Sequence, residues 1–315
     1  MSEPALDPDL VAYYDRLNAE LGPLPKDPTA AQRRERIEEV GRREARPYPP
    51  GLAVSDHSLA LPGREIPVRL YRPASVAPTG LLVYLHGGGW VIGSIASHDR
   101  LAAELATGSG VAVASVDYRR APETAFPGPC NDAADALALL AQMAPALGCD
   151  PRRIGIGGDS SGAHLAIGAA IAARDSGRTA LRFQLLIYPV IDPACESDSY
   201  RRYGSAGPLT TADMRWYWQQ FLGEHTGRDG HDDGRISPAR VDLTGLPPAY
   251  ILTAELDPLH DEAEAFGEQL RRAGVPVVIV RVPAMAHGFA RLTAHSVAAR
   301  RAVEAAAQAL RGALG

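Results

Sequence analysis

Cysteine is scarce in this chain. Cys130, Cys149 and Cys195 are the whole complement in 315 residues, widely spaced and in no CxxC or Cys/His metal-ligand pattern. That excludes a disulfide framework and a zinc site, and three buried free thiols are the expectation. An excess of positive charge is missing too. The 32 Lys and Arg are spread along the chain with 37 Asp and Glu, giving a net charge of -5 and no basic stripe for nucleic acid. No apolar run approaches membrane-spanning length. The opening MSEPALDPDLVAYYDRLNAELG is acidic and amphipathic, without the charged start and apolar core of a signal peptide. These absences lead to the expectation of a cytoplasmic protein with a small-molecule partner, and with neither nucleic acid nor membrane as partner.

What is present is an alternation of two periods. Residues 1–48 read as helical: DLVAYYDRLNAELG spaces its apolar residues at three and four, and a charged AAQRRERIEEVGRREAR follows, polar enough to need a partner surface. From about residue 51, REIPVRLYRP alternates like an exposed strand. GLLVYLH, GVAVASVD, RRIGIGG, RFQLLIYPV, PAYILTA and VPVVIVRV are short apolar runs suited to strands buried on both faces. Helical stretches fall between them, which predicts an α/β fold with a mostly parallel sheet and helices on both faces. Residues 193–247 break the alternation but contain ADMRWYWQQFLG, so an insertion with its own helix is expected over one end of the sheet. The expected organisation is an N-terminal helical segment over 1–48, a catalytic domain over 49–192 and 236–315, and an inserted segment over 193–235.

GDSSG at 158–162 lies between a predicted strand and a predicted helix. In GxSxG the flanking glycines permit a sharp turn that exposes the central serine hydroxyl. The glycines fall at 158 and 162, which makes Ser160 the central serine; centring on Ser161 would need glycine where Asp159 and Ala163 stand. Alone, the pattern also fits a plain turn with a capping serine. A dinucleotide loop fails, because the third glycine position is Ser160 and Ala180 stands where a ribose-binding acid would lie. A serine nucleophile needs a base oriented by an acid. His287 follows the last predicted strand, and Asp257 follows the strand before it, in the Ser, Asp, His order of strand-to-helix elbows. Glu255 is an alternative acid. His164 is expected to pack or cap, His260, Asp261 and Glu262 to open a helix, and His57, His98, His225, His231 and His295 to lie on the surface.

Negative charge on a tetrahedral intermediate needs donors, and YLHGGGW supplies unobstructed backbone N–H groups after a strand. Gly88, Gly89 and the N–H of Ser161 are the expected oxyanion donors, with His86 bracing the loop. A phosphate loop is excluded, since no GKS or GKT ending follows. DGHDDGRISPAR begins like a calcium loop at Asp229, but its required glutamate falls on Arg240.

With HGGGW at 86–90, DYRRAPE at 117–123, GDSSG at 158–162, DPLHDE at 257–262 and HGF at 287–289, the chain resembles the hormone-sensitive-lipase-like esterases of the α/β-hydrolases. The resemblance implies the α/β-hydrolase fold with a helical cap. It also implies ester hydrolysis by catalytic Ser160, Asp257 and His287, usually on short acyl chains, with no metal and no organic cofactor. Two departures stand out: Arg120 where the family usually has leucine, and Ser161 where it usually has alanine. Trp90, Trp216 and Phe289 are expected to contact the small-molecule ester, although the aromatic run at 216–221 also suits a helix docked by its apolar face. Deacylation of a natural product, a lactone or an amide would use the same triad. A ligand receptor, as in the related gibberellin receptors, would not need His287. Hydrophobic edge strands and the C-terminal helix leave room for a homodimer.

Overall fold

Most of the short apolar runs become strands because both of their faces are covered. VPVVIVRV does not fit that expectation, since its strand forms an edge of the sheet and only Val275 and Val282 of these eight residues are buried. The computed structural model describes residues 5–75, 79–224 and 233–315. In β3 (Thr79–Leu85), Leu81, Val83 and Leu85 belong to one hydrophobic cluster, while Leu82 and Tyr84 belong to the other. The first cluster includes residues of α4 (Gly128–Met143), α5 (Ser161–Ser176) and α8 (His260–Arg272); the second includes residues of α3 (Asp99–Ser109) and α9 (Val297–Leu314). Alternate residues of one strand thus feed opposite layers, and a continuous apolar run results.

The remaining strands are β1 (Leu52–Leu61), β2 (Arg64–Pro73), β4 (Ala112–Val116), β5 (Cys149–Asp159), β6 (Leu181–Ile187), β7 (Ala249–Leu256) and β8 (Val277–Ala286). They form one eight-stranded sheet in the order β1-β2-β4-β3-β5-β6-β7-β8. β2 pairs antiparallel with β1 and β4, and every other pairing is parallel. This is the α/β-hydrolase architecture that the resemblance implies. β1 is a strand that the patterning did not reveal. Only Leu59 of its ten residues is buried, so it carries neither an alternating nor a continuous apolar signal. It exists because its whole length pairs with β2, from Leu52 opposite Pro73 to Leu61 opposite Arg64.

Helices α1 (Pro8–Leu21) and α2 (Ala30–Glu44) cover the predicted N-terminal helical segment. Asp7 caps α1 through Asp9 N–H, and Thr29 with Gln32 closes a capping box on α2. No α2 residue is fully buried, and polar contacts hold it down. Arg34 reaches the Val91 and Ala121 carbonyls and Glu123, and Glu38 accepts from Ser94. The inserted segment carries α6 (Asp198–Tyr203) and α7 (Thr211–Leu222), and Arg33 of α2 pairs with Asp213 of α7 at 2.9 Å. Cys130, Cys149 and Cys195 are free and buried, and burial pushes the Cys130 and Cys195 thiols up to about 12. No helix among the described residues is long and apolar enough to cross a membrane.

Candidate active site

β5 ends at Asp159 and α5 begins at Ser161, so Ser160 alone makes the turn. Its backbone sits at φ 54 and ψ -122, a region that costs a side-chain-bearing residue about 1–3 kcal/mol. Neighbours hold it there. The Ser160 N–H donates to the Ile187 carbonyl at 2.8 Å, and its carbonyl accepts from His164 N–H at 3.2 Å. A Cβ on Gly158 or on Gly162 would strike the Leu85 carbonyl oxygen, so the two glycines of GDSSG are required by close approach of the β3 backbone.

His287 and Asp257 are the first residues beyond β8 and β7, and both strand ends face the elbow. His287 Nδ1 lies 2.7 Å from Asp257 Oδ2, and His287 Nε2 lies 2.9 Å from Ser160 Oγ. A carboxylate only accepts, so Nδ1 donates and Nε2 is left to accept the serine hydroxyl. The second Asp257 oxygen accepts from Leu259 N–H at 2.9 Å, and the Tyr188 ring leans on the imidazole at 4.7 Å. Glu255, the alternative acid, is occupied by Ala284 N–H. His164 bonds the Ile236 carbonyl and His260 the Ala254 carbonyl, each away from the elbow.

The loop after β3 is tied to the elbow by side chains that take the Gly87 amide and leave those of Gly88 and Gly89 free. Asp159 is buried and accepts from Tyr84 Oη at 2.7 Å and Gly87 N–H at 2.9 Å, with His98 Nε2 at 3.3 Å. Burial would raise its carboxyl, but His98, Tyr84 and Arg291 together hold it below the usual carboxylate range. Ser161 Oγ accepts the Trp90 N–H at 3.1 Å. His86 is stacked on Tyr118 at 4.4 Å and bonds the Gly87 carbonyl, while Arg120 donates to the Gly93 carbonyl. Among the described residues no protein acceptor takes the N–H of Gly88, Gly89 or Ser161; Gly88 and Gly89 line the same cavity as Ser160, and Ser161 is the next residue in the chain.

A cavity of about 430 Å³ opens on Ser160 and His287. Its walls include Tyr14 and Leu17 of α1, Ile37 of α2, Leu209, and Met214 and Tyr217 of α7. The three residues expected to contact substrate are not among its lining residues. Trp90 has φ 61 and turns its ring into the core, where it is 0% exposed and packs 4.4 Å from both Phe221 and Trp218. Phe289 is 0% exposed behind Tyr188. Trp216 is partly buried against the core, with the Arg33 guanidinium 4.5 Å from its ring. α7 therefore docks by one aromatic face and offers Met214 and Tyr217 to the cavity. His98, expected on the surface, is 3% exposed against Asp159. His295 is partly buried on Glu44, whereas His57 is exposed. His225, His231 and Asp229 lie outside the described residues. Asp233, at a later acidic position of the calcium-like loop, pairs with Arg235. Sequence reasoning missed Asp159 and Arg291. A carboxylate inside the apolar, glycine-rich GIGGDSSG was the available signal for Asp159; Arg291 had none.

A family model for the alpha/beta hydrolase fold matches residues 82–291, and the chain belongs to that family, in its hormone-sensitive-lipase-like branch. It is 39% identical over 298 residues to an ethyl acetate hydrolase of Pseudomonas putida, covering 91% of this chain and 93% of that protein. The carboxylesterase NlhH of Mycobacterium tuberculosis is 37% identical, with 84% of each chain covered. Among solved structures, a hyperthermophilic esterase from the archaeon Pyrobaculum calidifontis is similar with a TM-score of 0.90, at 34% identity and 98% coverage of both chains.

Proposed function

We propose that this protein is a serine carboxylic ester hydrolase acting on short- to medium-chain acyl esters. The observation that carries this reading is the chain of hydrogen bonds from Asp257 through His287 to a serine held at a strained turn. The esterase relatives support it. His287 Nε2 removes the proton from Ser160 as Oγ attacks the ester carbonyl, and Asp257 stabilises the imidazolium. The N–H groups of Gly88, Gly89 and Ser161 receive the oxyanion, each contributing about 3 kcal/mol to the transition state. Protonation by His287 releases the alcohol, and water then repeats the sequence on the acyl-enzyme. Helices α1 and α2, with α6 and α7 of the inserted segment, are read as the cap that shapes the pocket, and the described parts of 49–192 and 236–315 as the catalytic domain. A burst of alcohol equal to the enzyme concentration, from an activated short-chain ester, tests the acyl-enzyme; a bound ester that is never turned over would instead fit a receptor.

The bond from Trp90 N–H to Ser161 gives the extra hydroxyl a part in this reading. Ser161→Ala leaves a buried N–H without its acceptor, a loss of about 1–3 kcal/mol. Urea unfolding should report that loss, and kcat should fall about tenfold with KM nearly constant, because the Gly88–Gly89 donors shift. Unchanged kcat and stability would leave the hydroxyl without a part. Val278 on the free edge of β8 is 54% exposed and Val297 at the start of α9 is 48% exposed, which supports a homodimer along that side. Light scattering of Val278→Lys, expected to be monomeric if wild type is dimeric, tests it.

A further inference from the structure

Among the described residues, one guanidinium in the catalytic cavity has neither a hydrogen bond nor an ion pair. Arg291 lies four residues beyond His287, and its N–H donates to the Gly288 carbonyl at 3.2 Å. Its guanidinium folds back over that turn, with Nη2 3.9 Å from where a Cβ on Gly288 would stand. It lines the cavity that holds Ser160 and also an adjoining cavity of about 460 Å³, so it stands in the wall between them. Among the described residues the guanidinium makes no hydrogen bond and no ion pair. Three other arginines are matched by carboxylates: Arg33 with Asp213, Arg34 with Glu123, Arg69 with Asp56 and Asp99.

The rest of the lining gives it no direct partner: its field reaches Asp159, but the two form no ion pair. Asp159 is the one carboxylate on the described wall, and its oxygens are taken by Tyr84, Gly87 N–H and His98. A second guanidinium, Arg36, faces the same space and is held by the Gly22 carbonyl at 2.6 Å, a contact that leaves its charge uncompensated. The remaining wall is largely apolar. A guanidinium is more weakly hydrated than an ammonium, and a planar carboxylate offers it a bidentate, charge-assisted pair. One negative charge on a largely apolar body suits this wall better than a dianion.

We propose that Arg291 is a specificity residue that selects esters carrying a second, ionised carboxylate. The inference rests on the esterase reading and names its substrate class. The carboxylate can belong to the acyl part or to the alcohol part, and two pairs of esters separate these: monoethyl glutarate against ethyl hexanoate, and 3-acetoxypropanoate against butyl acetate. In at least one pair wild type should prefer the anionic ester, and Arg291→Met should lower the ratio of kcat/KM values by about 10- to 100-fold, as expected for loss of a charge-assisted pair. Arg291→Lys should restore part of the ratio, which a merely structural role would not do. Ratios unchanged by Arg291→Met in both pairs overturn the proposal and leave the esterase reading standing. Calorimetric binding of monoethyl glutarate and 3-acetoxypropanoate to Ser160→Ala separates the opposite case. If wild type hydrolyses no ester yet Arg291→Met in the Ser160→Ala background abolishes that binding, the anion site stands and the esterase reading fails. Binding of neither anion, or binding of both unchanged by Arg291→Met, overturns the site.

Discussion

Replacing Ser160 by alanine is expected to lower kcat on a short-chain ethyl ester by about a millionfold, the loss typical when a triad nucleophile is removed. Asp257→Asn should lower it by about 10⁴-fold, because an amide no longer fixes the imidazole with Nδ1 as donor. Ser160→Gly separates chemistry from backbone strain. It is expected to be as inactive as alanine, yet to unfold at higher urea, since glycine relieves the φ 54, ψ -122 turn at a gain of about 1–3 kcal/mol. A glycine variant less stable than Ser160→Ala would mean that the elbow stores no strain.

The second large effect belongs to Asp159, a residue outside the reacting chain. Its carboxylate joins the elbow to the loop after β3 through Tyr84, Gly87 and His98. Asp159→Asn puts an NH₂ group among donors and is expected to destabilise the fold by about 3–5 kcal/mol, as when one partner of a buried charged cluster is removed. Burial opposes the charge, but His98, Tyr84 and Arg291 outweigh it, so the folded carboxyl titrates below its unfolded value. The ionised group therefore stabilises fully above the unfolded range near ~3.9, and this contribution is lost as pH falls toward the lower folded value. Urea unfolding of wild type and Asp159→Asn should differ most at neutral pH, and the gap should close in acid. A gap that widens in acid would reverse the assignment of the charge.

How far the site can be read from the sequence depends on whether position along an element determines where a side chain points. Ser160, Asp257 and His287 each stand just past the end of a parallel strand, and such ends converge on one side of the sheet. Their spacing in the chain therefore carries their meeting in space. Trp90 directly follows Gly88 and Gly89, and Phe289 lies two residues past His287, yet both point away from the cavity, because a left-handed turn at Trp90 and a short 3-10 turn at Phe289 set their directions. No periodicity encodes that. β1 is invisible for another reason, since its order comes from pairing with β2 while its own side chains stay mostly in solvent. His98 and Arg291 acquire their meaning from neighbours far away in the chain.

The Arg33–Asp213 pair links two stretches of chain that contribute no strand to the sheet, yet both supply walls of the cavity. Selection can alter Leu17, Ile37, Leu209 or Met214 without moving a glycine of the elbow or a hydrogen bond of the Asp159 cluster. The reaction and its choice of substrate are thus inherited on separate parts of the chain, and new preferences can arise on an unchanged chemical engine.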